Sequence, residues 1–315
     1  MNSIKKMMLS GALGCLISGM AYADGSSPQP VKPYWQDIQV VAVNKEKPRS
    51  SFMSYADRET ALTSRFEKSP YYSLLNGTWK FFFVDSYKDL PQNITDPSVN
   101  TSSWDDITVP GNWEVQGHGV AIYTNHGYEF KPKNPQPPLL PEANPVGVYR
   151  RDIEIPANWD NRDIYLHIGG AKSGLYVYLN GKEVGYSEDS KNPAEFLINK
   201  YLQPGKNVLT LKIFRWSTGS YLECQDFWRM SGIERDVFLW SQPKASIQDF
   251  RVVSTLDDTY TNGIFKLAVD LKNHTQETKN LNVGYELLDA KGNLMASEAN
   301  DIWVSPASPQ TASFE

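Results

Sequence analysis

Between residues 148 and 240 the chain is cut into short segments of alternating side-chain character. They run 148–155, 163–168, 175–179, 182–186, 207–214 and 236–240. Turn residues separate them. Asn180-Gly181 joins two of the segments, and both residues accept the positive φ of a tight hairpin. Gln203-Pro204-Gly205 marks another turn. Strands spaced by about ten residues, with Gly and Pro between them, leave no room for helical crossovers. They exclude a parallel α/β sheet and require a sandwich or a barrel.

The flanking segments extend this pattern. Residues 77–85 (GTWKFFFVD) read as a strand that is apolar on both faces and therefore buried. Residues 104–109 read as another, which must stop at Pro110, and Gly111 then lets the chain turn. Residues 54–66 are the best helix candidate of this first region. Pro132, Pro135, Pro137, Pro138, Pro141 and Pro145 rule out helix and central strand, and describe a stiff, shaped loop. Pro243 marks a boundary, after which strands are expected at 246–254, 264–272, 281–288 and from 294 onward, with a turn over 289–293. This second series has the look of an immunoglobulin-type sandwich. It holds fewer than the roughly seven strands such a domain needs, so the chain reads as part of a longer protein.

The formal charge of −5 supplies no basic patch for nucleic acid. The N-terminus reads as an export signal over residues 1–23. Lys5 and Lys6 precede a short apolar run, and Ala21-Tyr22-Ala23 is a cleavage site. Lipid attachment at Cys15 is the rival reading, with a weak surrounding sequence. No further apolar run is long enough to cross a membrane. A polar, proline-rich leader and an extended arm with Trp35 occupy 24–53. After cleavage Cys224 is the sole cysteine. It reads as a small packed residue without a base to activate it.

Chemistry concentrates at 215–237, RWSTGSYLECQDFWRMSGIERDV. Four large rings surround Glu223, Asp226 and Glu234 and three arginines. This is poor core material, because buried carboxylates must be paired. It suits a sugar, since carboxylates accept directed bonds from hydroxyls and rings cover a pyranose face, but composition alone favours a solvated loop with some packed aromatics. The run YLECQDFWRMSGIERDV, with VPGNW at 109–113, IYTN at 122–125, GYSEDS at 185–190 and PAEF at 193–196, resembles the N-terminal half of family 2 glycoside hydrolases, specifically the β-galactosidases. The alternative is a freestanding, non-catalytic carbohydrate-binding sandwich, or another family 2 enzyme such as a β-glucuronidase or β-mannosidase.

The resemblance implies an all-β fold: a jelly-roll sandwich over 54–242, then an incomplete immunoglobulin-like sandwich over 243–315. It implies an enzyme acting on terminal β-D-galactosyl residues, which the export signal would place in the periplasm or outside the cell. Both catalytic glutamates would lie in a (β/α)₈ barrel outside these residues, about 5–5.5 Å apart as retaining glycosidases require. Magnesium ligands are expected in that barrel too. Asn125 and Asp226 are implied as sugar contacts, and Asp226 as one ligand of a sodium ion; hard cations favour such oxygens. Their competing readings are a turn cap for Asn125 and an ion pair with Arg229 for Asp226. Glu223 and Asp226 are not expected to form a catalytic pair. Trp228 and Arg229 are candidates for a stacked pair, and His118 and His126 stand too far from other ligands to suggest a metal site. A β-galactoside is the implied partner, and a homo-oligomer is compatible with the resemblance.

Overall fold

A computed structural model describes residues 32–130 and 134–315. The export signal, Cys15 and most of the leader lie outside the described residues. Two antiparallel sheets carry the first region. One has seven strands in the order Ala42–Val43, Lys182–Ser187, Gly174–Leu179, Lys206–Phe214, Val146–Glu154, Gly77–Val84 and Asp105–Val109. The other has four, Ala194–Leu197, Arg162–Ile168, Val237–Pro243 and Tyr72–Leu74. One core joins their facing sides: Trp79, Phe81, Val177 and Leu211 from the first sheet meet Leu166, Phe196 and Leu239 from the second. The all-β expectation holds, and the hairpin at 180–181 has φ of 52° and 78°.

The outer faces are covered by the N-terminal arm. Trp35 is 1% exposed and lies 5.0 Å from Phe214 on the back of the large sheet. Ala42–Val43 pairs with Lys182–Ser187 and so closes an edge. Further on, Met53, Tyr55 and Phe66 pack on Trp240 and Phe238 behind the small sheet. The arm is therefore a working part of the sandwich.

Two local expectations need correction. The helix at 54–66 shrinks to Arg58–Leu62, capped by Asp57, whose carboxylate accepts from the Thr60 amide at 2.8 Å. Thr63 bonds back to the Thr60 carbonyl, and Ser64 turns to φ 54°; short hydroxyl side chains compete with the helical ladder. Gly111 does not make a turn. It pairs with Ile233 in a short sheet, and a β-carbon there would stand 3.0 Å from the Thr108 carbonyl oxygen, so close approach requires the glycine. Gly232, opposite Asn112, does have a positive φ of 115°.

The second series begins with Ala245–Leu256, which pairs with Gly263–Asn273, itself paired with Gln310–Phe314. Lys279–Leu288 and Leu294–Val304 form a separate hairpin. Leu271, Val304 and Phe314 centre their common core. The Ser50 amide donates to Asp249 at 2.8 Å, and His274 bonds Asp163 at 2.7 Å, tying this unit to the first sandwich.

Candidate functional site

The motif segment folds as half of a two-stranded ribbon. Phe227–Arg229 pairs antiparallel with Ile122–Thr124, with Phe227 opposite Thr124 and Arg229 opposite Ile122. Asn125 follows Thr124 and Asp226 precedes Phe227, so both lie just beyond the last pair at the same end of the ribbon. More than 90 residues separate the two strands in sequence, yet the two predicted sugar contacts adjoin the same end of one ribbon.

Strand alternation then divides the ribbon into two faces. Tyr123 and Trp228 point outward, 55% and 53% exposed, with ring centroids 5.6 Å apart. Asp226 is exposed on the same side, and its Oδ1 accepts from the Tyr123 hydroxyl at 2.9 Å. That bond, with the charge behind it, raises the tyrosine's pKa. Asn125 is also exposed, its Oδ1 2.7 Å from His126 Nδ1.

Arg229 faces inward and is 1% exposed. Its ion pair is with Glu129, at 3.8 Å, which answers the competing assignment for Asp226. The stacked pair with Trp228 does not form. Adjacent residues on a strand take opposite faces, so the guanidinium lies on Phe227 instead, 4.8 Å from the centroid. Lys172 is buried near the same ring, 5.1 Å away, and burial lowers its pKa.

The remaining acids are used by the protein itself. Glu223 accepts from the Ser190 amide and hydroxyl at 2.9 and 2.6 Å, away from the bond that holds Asp226. Glu114 is buried: Oε2 accepts from the Ser231 amide at 2.8 Å and Oε1 lies 3.6 Å from Arg215, yet burial still raises its pKa. Cys224 donates to the Ser220 carbonyl, and burial pushes its thiol up, which suits packing and not nucleophilic attack.

The proline-rich loop is anchored where the structure describes it. Asn144 is fully buried and exchanges two bonds with the Trp216 backbone, at 2.8 and 3.1 Å. Tyr128 and Phe130 pack on Tyr221, and Glu129 accepts from the Trp216 indole at 3.0 Å. Residues 131–133 lie outside the described residues. Sequence reasoning missed Tyr123 and Glu129. Period-two alternation of IYTN offered a signal for the first; nothing in a proline-rich loop marked the second.

Among the described residues no three His, Cys, Asp or Glu side chains converge on a point suitable for a metal. Asp226 retains an unbonded oxygen at the surface. That oxygen can supply one ligand to a hard cation, and no cluster of three such side chains stands around it among the described residues.

An antiparallel sandwich presenting an incompletely bonded acid, an amide and exposed rings at one rim is a carbohydrate-binding β-sandwich. The family model for the sugar binding domain of glycosyl hydrolases family 2 matches residues 72–243, and the chain belongs to that family. A beta-galactosidase of Priestia megaterium is 39% identical over 262 residues, 82% of this chain and 25% of the relative. Those of Psychromonas ingrahamii and Oenococcus oeni are 36% and 42% identical over 257 and 185 residues, covering 82% and 58% of this chain and 24% and 18% of theirs. The chain thus spans about a quarter or less of the length of these relatives. Among solved structures, a beta-glucuronidase of Bacteroides uniformis superposes with TM-score 0.62 at 20% identity, over 77% of this chain and 27% of that one. At that identity the likeness concerns the fold alone.

Proposed function

We propose that this chain is the N-terminal, sugar-binding part of an exported β-galactosidase, and that Asn125 and Asp226 grip the terminal galactosyl unit. The observation that carries the reading is the ribbon register, which brings these two residues to one exposed end while Arg229 is paired elsewhere. The names and identities of the relatives support the substrate class.

In this reading Asp226 accepts bonds from galactosyl hydroxyls, and the Asn125 amide both donates and accepts. A site built to satisfy particular hydroxyls rejects an epimer, because the mismatched polar groups are left unpaired. The bond is cleaved by a pair of glutamates in the longer polypeptide, and these contacts hold the ring in register with them. Asp226 also serves as one oxygen ligand of a sodium ion, which would supply positive charge near the hydroxyls; magnesium belongs to the remainder of the protein. The second unit is taken as immunoglobulin-like, and export delivers the enzyme to the periplasm or the exterior.

The test uses the complete protein, assayed on aryl β-galactosides, β-glucuronides and β-mannosides. Preference for the galactoside, weakened by Asp226→Asn, is the expected result. Preference for either other sugar would overturn the assignment.

A further inference from the structure

We propose that Arg229 is a positioning residue which holds Asn125 and Asp226 at their sugar-binding spacing, by stapling the two strands of the ribbon from beneath. The inference rests on the sugar-binding reading of those two residues. A two-stranded ribbon of three residues a side is marginal by itself, and the outer face of this one is open to solvent. Its geometry must be imposed from the inside.

The guanidinium of Arg229 does this at the end that matters. Nη2 donates to the Thr124 carbonyl, one residue before Asn125, at 3.4 Å. Nη1 donates to the Glu223 carbonyl, three residues before Asp226, at 3.3 Å. The same group lies on the ring of Phe227, immediately after Asp226. One planar fork therefore touches the backbone leading into both sugar contacts. Lysine cannot replace it, because an ammonium lacks the paired, fixed donors.

Arg215 secures the opposite end. Its Nη2 donates to the Val120 carbonyl at 2.9 Å and to the Arg229 carbonyl at 3.1 Å. Glu129 and Glu114 balance the two cations, with side chains 3% and 0% exposed. The arrangement is costly: Nε of both arginines and Oε1 of Glu114 are buried without a hydrogen-bond partner. Apolar residues would fill this space without desolvating four charges. The donors that are satisfied are those aimed at backbone carbonyls in the ribbon or in the segments leading into it, as a device for placing backbone requires.

A double-mutant cycle in the complete protein tests this. Arg229→Lys is expected to raise KM for an aryl β-galactoside about tenfold, roughly 1.4 kcal/mol, with a smaller change in kcat. Asp226→Asn alone raises KM as well, and the double variant falls well short of the product of the two effects, since the arginine acts in part through that site. Independent, additive effects, or a fall in kcat at constant KM, would overturn the positioning role while leaving the sugar contact intact. An unchanged KM in Asp226→Asn would instead remove the sugar contact, and the positioning role with it. Should Arg229→Lys not fold, Glu129→Gln carries the same cycle: the arginine stays, its counter-charge is lost, and the same non-additivity is expected.

Discussion

Two acids of the same sandwich meet opposite fates. Glu195, in the small sheet, is 8% exposed and accepts four hydrogen bonds, with both oxygens engaged. Its Oε1 accepts from Arg49 at 2.8 Å, from His167 at 2.8 Å and from the Trp240 indole at 3.1 Å, while Oε2 accepts from Arg49 Nε at 2.9 Å. Arg49 in turn lies 4.3 Å from the Trp240 ring centroid. Asp226 stands at an open strand end with one tyrosine hydroxyl for company. Glu195 has its coordination completed by the fold, and Asp226 is left for something the fold does not contain. Carboxylate count alone would have ranked the two alike; the number of lone pairs still free separates them.

The largest effect that can break the comparison is at Glu195. Glu195→Gln should cost about 3–5 kcal/mol, because Arg49 loses its counter-charge in a buried place. Urea denaturation measures this, and galactoside KM in the folded fraction should not move. A cost near zero would mean that saturated bonding is not what marks a structural acid.

Acid sharpens the same point. Burial alone would raise the Glu195 pKa, but the bond from His167 and the charge of Arg49 outweigh it and hold the group below its ordinary value. A depressed folded-state pKa gives stability that is present above the unfolded value, near 4.3, and is lost as pH falls through the folded one. The stability gap between wild type and Glu195→Gln should therefore narrow below about pH 4. A gap that widens on acidification would contradict the assignment.

At the other acid the expected loss is in binding. Asp226→Asn should weaken galactose inhibition of the complete enzyme about 10- to 100-fold, as for loss of charged hydrogen bonds, with little change in Tm. Unfolding would show that the carboxylate is structural after all. Smaller still is Tyr123→Phe, which removes the hydroxyl that orients Asp226. About a two- to tenfold rise in KM is expected, and Tm should barely move because the ring is half exposed. A change in Tm with no change in KM would assign Tyr123 to packing instead.

What could be read from the sequence follows the range of the forces involved. Local rules located most strands and the hairpin at Asn180-Gly181, since alternation and positive φ are properties of neighbouring residues. Alternation applied to Trp228 and Arg229 would also have placed them on opposite faces. The helix at 54–66 contracts to Arg58–Leu62 because the Thr63 hydroxyl bonds back to the Thr60 carbonyl and Ser64 takes a positive φ, a competition that apolar periodicity does not register. Gly111 lies in a short sheet because it pairs with Ile233, a tertiary contact that local rules do not reach. The ribbon pairing was out of reach for the same reason: a register between 122–124 and 227–229 is set by the sandwich that holds both. The motifs single out Asn125 and Asp226, but their place at one end of the ribbon, and the Arg229–Glu129 pair beneath it, are visible only in the structure.

The most direct measurement is a crystal structure of the complete protein with D-galactose bound. The account predicts sugar hydroxyls within about 2.6–3.2 Å of an Asp226 carboxylate oxygen and of the Asn125 amide. Galactose seated elsewhere, with Asp226 facing open solvent, would contradict it.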